Sequence, residues 1–139
     1  MIFGGSNDRD DFLRYRMEMV ERQLESRGVR SERVLKAFRS VPRECFLLDE
    51  YARYPRRAYD DCPLPILANQ TISQPYMVAL MTEILDVPET GTPVVVDVGA
   101  GSGYQSAILA EMGCNVVAVE RIAELVDFAR QNLARAGYD

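Results

Sequence analysis

The run Val94-Val95-Val96-Asp97-Val98-Gly99-Ala100-Gly101-Ser102-Gly103 constrains this chain more than any other stretch. It is a buried-strand apolar run that ends in an acid and opens into a glycine-spaced turn. A second apolar run, Val116-Val117-Ala118-Val119, ends in Glu120. Strand, acid, glycine turn, helix, second strand and second acid form the first half of a nucleotide-type binding site at the carboxyl ends of parallel strands.

Spacing and charge choose among ligands. A dinucleotide fingerprint runs G-x-G-x-x-G. Here the residue three after Gly101 is Tyr104, and the third glycine is Gly103, giving G-x-G-x-G. Asp97 lies two residues before the first glycine, where a carboxylate repels a pyrophosphate and attracts a cation in a partly desolvated site. S-adenosylmethionine carries an ammonium and a sulfonium and no phosphate. Glu120, closing the next strand, is placed to accept hydrogen bonds from two ribose hydroxyls. The candidate cofactor residues are therefore Asp97, Gly99, Ala100, Gly101, Ser102, Gly103, Gln105, Glu120 and Arg121. A dinucleotide in a hydride-transfer enzyme and a purely structural turn are the competing readings.

Bulk properties narrow the chemistry. The 139 residues suffice for one domain with a real core, and 47% hydrophobic with 27% charged residues is ordinary for a globular protein. No apolar run approaches the roughly 20 residues of a membrane helix, and the N-terminus lacks a secretory signal pattern. Cys45, Cys62 and Cys114 are odd in number and form no C-x-x-C pair, so free thiols and a cytoplasmic setting are expected, with no metal site. Histidine is absent, which removes the commonest general base. Methyl transfer to an already ionised nucleophile suits such a chain. Residues 1–60 carry 13 basic and 11 acidic side chains, whereas residues 61–139 carry 3 and 10. An acidic cofactor half argues against nucleic-acid binding there. The arginines and tyrosines between Tyr51 and Arg57 read as a solvated face.

Along the chain, residues 1–10 read as a flexible tail. Phe12, Tyr15, Met19, Val20 and Leu24 recur at helical spacing up to Gly28. Ser31 is placed to cap a helix carrying Val34, Leu35, Phe38 and Val41, ended by Pro42. Ser73 and Pro75 open a third helix whose apolar residues are Met77, Leu80, Met81, Ile84 and Leu85. After the first strand a helix runs from about Tyr104 to Gly113, and after the second a helix ends at Gly137. The expected fold is α/β: N-terminal helices, then the first β-α-β-α part of a Rossmann-like S-adenosylmethionine-dependent methyltransferase fold. Residues 11–88 form a helical and substrate-loop region, and residues 89–139 a partial cofactor-binding region, within one structural domain. Two parallel strands make a small sheet, so the sheet is expected to be incomplete.

Thr71-Ile72-Ser73-Gln74-Pro75-Tyr76-Met77-Val78-Ala79-Leu80-Met81 resembles the signature of the protein-L-isoaspartate O-methyltransferases. The resemblance extends to MVERQLESRGV (residues 19–29), VPRECF (41–46), RAYDDCPLPI (57–66), VVVDVGAGSGYQSAILAEM (94–112) and VVAVERI (116–122). It implies a repair enzyme that methylates the α-carboxylate of L-isoaspartyl residues in damaged proteins and peptides. It makes Ser73 the active-site serine, with Thr71, Ile72 and Gln74 beside the peptide; on local spacing alone, Ser73 reads as a helix cap. It also implies further strands beyond Asp139, supplying an adenine-side acid and part of the substrate groove.

One departure stands out. The family's PIGxGQ is here Pro65-Ile66-Leu67-Ala68-Asn69-Gln70, without glycine, so the loop is expected to take another path and peptide binding to suffer. Two alternatives remain at this point. One is a related methyltransferase acting on another carboxylate or a small molecule. The other is a truncated, non-catalytic chain that self-associates through its unfinished sheet edge, in contrast to a complete monomer.

Overall fold

A computed structural model describes residues 7–138. The expected tail lies largely outside these residues, and residues 7–10 form the first turn of helix α1 (Asn7–Met19). The same helical path continues through a π-helical turn (Val20–Leu24) and a 3-10 turn (Glu25–Arg27) to Gly28, which stops it at φ +96°. Met19, Val20 and Leu24 are buried. Ser31 caps α2 (Glu32–Ser40), its hydroxyl accepting from the Val34 amide at 3.3 Å, as the spacing predicted. A 3-10 turn (Arg43–Phe46) and two short helices, α3 (Asp49–Ala52) and α4 (Pro55–Ala58), lead into the loop that precedes the third long helix.

That loop is built from β1 (Leu64–Pro65), a 3-10 turn (Leu67–Asn69) and β2 (Thr71–Ile72). β1 and β2 pair antiparallel, with Leu64 opposite Ile72. The turn between them lacks glycine and nevertheless holds Ala68 at φ 56° and Asn69 at φ 55°. The turn thus adopts the left-handed geometry that glycine permits, at a strain cost that asparagine tolerates better than alanine. Ala68→Gly is expected to stabilise the chain by about 1 kcal/mol, read from urea denaturation.

Helix α5 (Pro75–Leu85) departs from the sequence reading in two ways. Its N-cap is Gln74 rather than Ser73, and no side chain caps it, because Pro75 takes the first helical position. It buries Pro75, Val78, Ala79 and Thr82, while Met77, Met81, Ile84 and Leu85 of the expected apolar stripe are exposed. The helix is apolar on more than one side, and its smaller side chains pack toward α2.

The second sheet is β3 (Val94–Val98) paired parallel with β4 (Asn115–Val119), from Val94 opposite Asn115 to Val98 opposite Val119. Helix α6 (Tyr104–Glu111) crosses between them, and α7 (Ala123–Ala136) follows, stopped by Gly137. One sheet face meets α6. On the other, Val94, Val96, Val98, Val117 and Val119 are exposed, with Val98 at 80%. This is the incomplete α/β sheet expected from the pattern.

The core lies between the N-terminal helices and α6. Phe38 and Phe46 pack on the Tyr104 ring at centroid distances of 6.0 and 5.5 Å, the first edge-on. Leu24, Leu47 and Ile108 complete the same buried cluster. Tyr104, the first residue of α6, therefore ties the glycine loop to the helical half of the molecule.

Candidate active site and its cofactor loop

The glycine turn hangs on the two strand ends. The amides of Gly99 and Ala100 donate to the Val119 carbonyl at 2.7 and 3.1 Å. Gly103 sits at φ +90°, where an L side chain is strained, and a Cβ there would press on Leu133 Cγ at 3.1 Å, so the backbone angle above all favours glycine. Buried Asn132 on α7 holds the turn from behind, donating to the Ser102 carbonyl at 3.0 Å. Asn132→Leu keeps the volume but leaves that carbonyl unsatisfied, and is expected to cost about 1–3 kcal/mol in urea unfolding.

Both strand-end acids are engaged. Asp97 accepts from the Ser106 hydroxyl at 2.6 Å, which fixes one carboxylate oxygen. Glu120 accepts from the Gly101 amide at 3.0 Å and the Ile122 amide at 3.1 Å. These amides, Ile122 first, hold its carboxyl below the ordinary value of 4.5. A depressed folded value means that this contribution is complete above about pH 4.5 and is lost as pH falls through the lower folded value. Gln105 donates to Thr82 at 2.9 Å, bridging α6 to α5. Ser102 is buried, and its hydroxyl accepts from the Tyr104 amide at 3.3 Å.

Across from the glycine turn stands the Thr71–Gln74 segment. A cavity of about 190 Å³ is lined by Thr71, Ile72 and Ser73 on one side and by Asp97, Gly99, Ala100, Gly101, Ser102 and Gln105 on the other. A second cavity of about 320 Å³ shares Thr71, Gly99 and Gly101 with it and reaches Glu120 and Arg121. Of the residues singled out from the sequence, Gly103 and Gln74 stand apart from these walls. Gly103 packs on α7, and Gln74 donates to Asp61 at 2.7 Å. Ser73 is exposed, on the wall facing the glycine turn. Among the described residues no lysine or arginine lines the first cavity, and Asp97 is the one charged group on its walls. That lining suits a cation and rejects a phosphate.

Sequence reasoning missed several supports. Asp61 receives Arg27 and Gln74 together, and the Arg27 guanidinium lies 5.6 Å from the Tyr76 ring centre. Thr82, Ser106 and Asn132 are buried polar residues that each also bond a partner in another element, 9 to 30 positions away. Their one sequence signal is a polar residue on an otherwise apolar helix face.

The comparisons with known proteins agree with this geometry. The family model for protein-L-isoaspartate(D-aspartate) O-methyltransferase matches residues 14–139. The chain belongs to this family. A protein-L-isoaspartate O-methyltransferase of Methanospirillum hungatei is 54% identical over 125 residues, covering 90% of this chain and 56% of the relative. Its counterpart in Methanoculleus marisnigri is 50% identical over 130 residues, covering 94% and 57%. A Plasmodium falciparum protein-L-isoaspartate O-methyltransferase solved with S-adenosyl-L-homocysteine superposes with TM-score 0.70 at 29% identity, covering 86% of this chain and 55% of that one. The chain spans about half the length of the curated relatives it matches. The fold is accordingly the Rossmann-like methyltransferase fold of this family, with part of its sheet. No described helix is long and apolar enough to cross a membrane.

Proposed function

We propose that this chain carries the cofactor loop and the substrate-aligning segment of a protein-L-isoaspartate O-methyltransferase, and that it methylates the α-carboxylate of L-isoaspartyl residues in damaged proteins and peptides. The observation that carries this reading is one cavity with Ser73 on one wall and Asp97 with the glycine turn on the other. When bound, S-adenosylmethionine supplies a methyl group activated by a sulfonium. Asp97 would hold the cationic methionine end, and Glu120 would take the ribose hydroxyls. Ala100, Gly101, Ser102 and Gln105 shape the wall between them, and Arg121 flanks the ribose side. Ser73, through its hydroxyl, would donate to the substrate carboxylate, and Thr71 and Ile72 would flank the peptide. Gln74 would act from the rim through Asp61. A carboxylate with a pKa near ~4 is already ionised, so a chain without histidine needs no base. What remains for the protein is alignment and the exclusion of water.

The roles separate in experiment. Asp97→Asn removes a charged partner and is expected to weaken S-adenosyl-L-homocysteine binding roughly 10- to 100-fold by calorimetry. Ser73→Ala is expected to leave that affinity within about twofold and to lower turnover about tenfold. Equal losses of affinity in both would contradict the assignment.

The same proposal includes a cytoplasmic setting, consistent with the free thiols of Cys45, Cys62 and Cys114. It also treats residues 11–88 and 89–139 as two parts of one structural domain. A second reading is self-association through the unfinished edge of the β3–β4 sheet, favoured by the exposed valines that flank it. Sedimentation across a concentration series decides between that and a monomer.

A further inference from the structure

Arg43 is fully buried, 0% exposed, within the fold behind Ser73. Its Nε donates to the Ala58 carbonyl at 3.0 Å and its Nη2 to the Ser73 carbonyl at 3.1 Å. The remaining nitrogen, Nη1, is buried and has no hydrogen-bond partner among the described residues. Nor does Arg43 form an ion pair among them. The adjacent acid, Glu44, is taken by Arg16 and Tyr59. The guanidinium carbon stands 5.1 Å from the centre of the Tyr104 ring, and the Tyr104 hydroxyl, likewise buried with no partner at full hydrogen-bond geometry, is in weaker polar contact with the same guanidinium.

This is a poor arrangement if its purpose is stability. Buried cations are normally paired, and an unbonded buried donor costs free energy. Arginine does not escape by losing its proton. Two of the residues it touches give the charge a destination, since Ser73 and Tyr104 both line the cavity that holds Asp97.

We propose that Arg43 is a positioning residue that sets the specificity of the Ser73 side of the cavity for an anion. It fixes the Ser73 carbonyl, and so the direction of the Ser73 side chain, and its unneutralised charge attracts a carboxylate there. The cavity is then polarised, with Asp97 drawing a cation at one end and Arg43 an anion at the other. A carboxylate oxygen and a cationic methyl donor are drawn to opposite walls of the same space. This rests on the reading of a carboxylate substrate given above.

The test places a titratable probe at Ser73. In a background of Cys45→Ala, Cys62→Ser and Cys114→Ala, the Ser73→Cys thiol is alkylated with iodoacetamide across pH, with Arg43 intact, with Arg43→Gln and with Arg43→Lys. Arg43→Gln removes the charge and keeps a donor near the Nε position for the Ala58 carbonyl, while Arg43→Lys restores the charge without the two-carbonyl fork. The thiol midpoint is expected about one pH unit lower with Arg43 than with Arg43→Gln, about tenfold in rate at a fixed lower pH, and Arg43→Lys restores most of the shift. Equal midpoints in folded Arg43 and Arg43→Gln chains overturn the proposal, because carbonyl bridging alone would not move a thiol. If neither variant folds by circular dichroism, the Arg43 chain decides by itself, and a midpoint at or above the ordinary ~8.5 overturns it. Calorimetry with an isoaspartyl peptide runs alongside. A chain that shows the thiol shift but binds no peptide loses the substrate reading and keeps the charge. A chain that binds the peptide without the shift loses Arg43 alone.

Discussion

Glu120→Ala is expected to weaken S-adenosyl-L-homocysteine binding about a hundredfold, the largest single loss at the site. Glu120 does two things at once. It takes the amides of Gly101 and Ile122, at 3.0 and 3.1 Å, and so fixes the turn against the end of β4. It also borders the second cavity, where a ribose would lie. Hydrogen bonds to a charged acceptor are worth roughly 1.5–3 kcal/mol each, and water recovers part of that at a half-exposed residue. A net of about 2.7 kcal/mol corresponds to a hundredfold in affinity. Glu120→Gln keeps one good acceptor oxygen and is expected to lose about tenfold. Calorimetric titration reads both. Affinity unchanged in Glu120→Ala would remove the acid from the site.

Glu44→Ala is expected to destabilise the fold by about 3–5 kcal/mol, a fall of roughly 10–15 °C in Tm. The side chains of Arg16 and Glu44 are only 12% and 18% exposed and meet at 2.9 Å. Tyr59 completes the cluster: its hydroxyl donates to Glu44 and accepts from Arg16 at 2.7 Å and from the Arg43 amide at 3.2 Å. Burial first, then the Glu44 charge, pushes the Tyr59 hydroxyl far above its ordinary range. Removing Glu44 leaves the Arg16 charge nearly buried and unpaired, which is the costly case. The double variant Arg16→Met, Glu44→Met removes both charges and is expected to recover most of the loss. Thermal and urea unfolding check this, and a loss under about 1 kcal/mol for Glu44→Ala would contradict the cluster's importance.

Local pattern carried the sequence reading well where chemistry is local. Asp97, the glycine turn and Glu120 occupy the places their spacing implied, because strand ends and turns are set by neighbouring residues, whereas the valine run read as a buried strand forms the strand but leaves one face exposed. Ser31 as a cap is legible for the same reason. Ser73 as a cap was not, since the proline two residues on moves the cap to Gln74. The orientation of α5 was also hidden. Its sequence is apolar on several sides, and only packing decides that Val78 and Ala79 go in while Ile84 stays 71% exposed. Without glycine, the Leu67–Asn69 turn still places Ala68 and Asn69 at positive φ, a strain that the sequence of the turn alone does not announce. Arg43, Asn132 and Ser106 act through partners remote in sequence, so nothing in their neighbourhood marks them.

The central claim is that the cavity between Ser73 and Asp97 aligns an isoaspartyl carboxylate with a methyl donor. Incubating the chain with S-adenosylmethionine and a matched pair of peptides, one isoaspartyl and one aspartyl, tests it most directly. The account predicts an added methyl mass on the isoaspartyl peptide alone. Methyl on neither peptide, or on both alike, would contradict it.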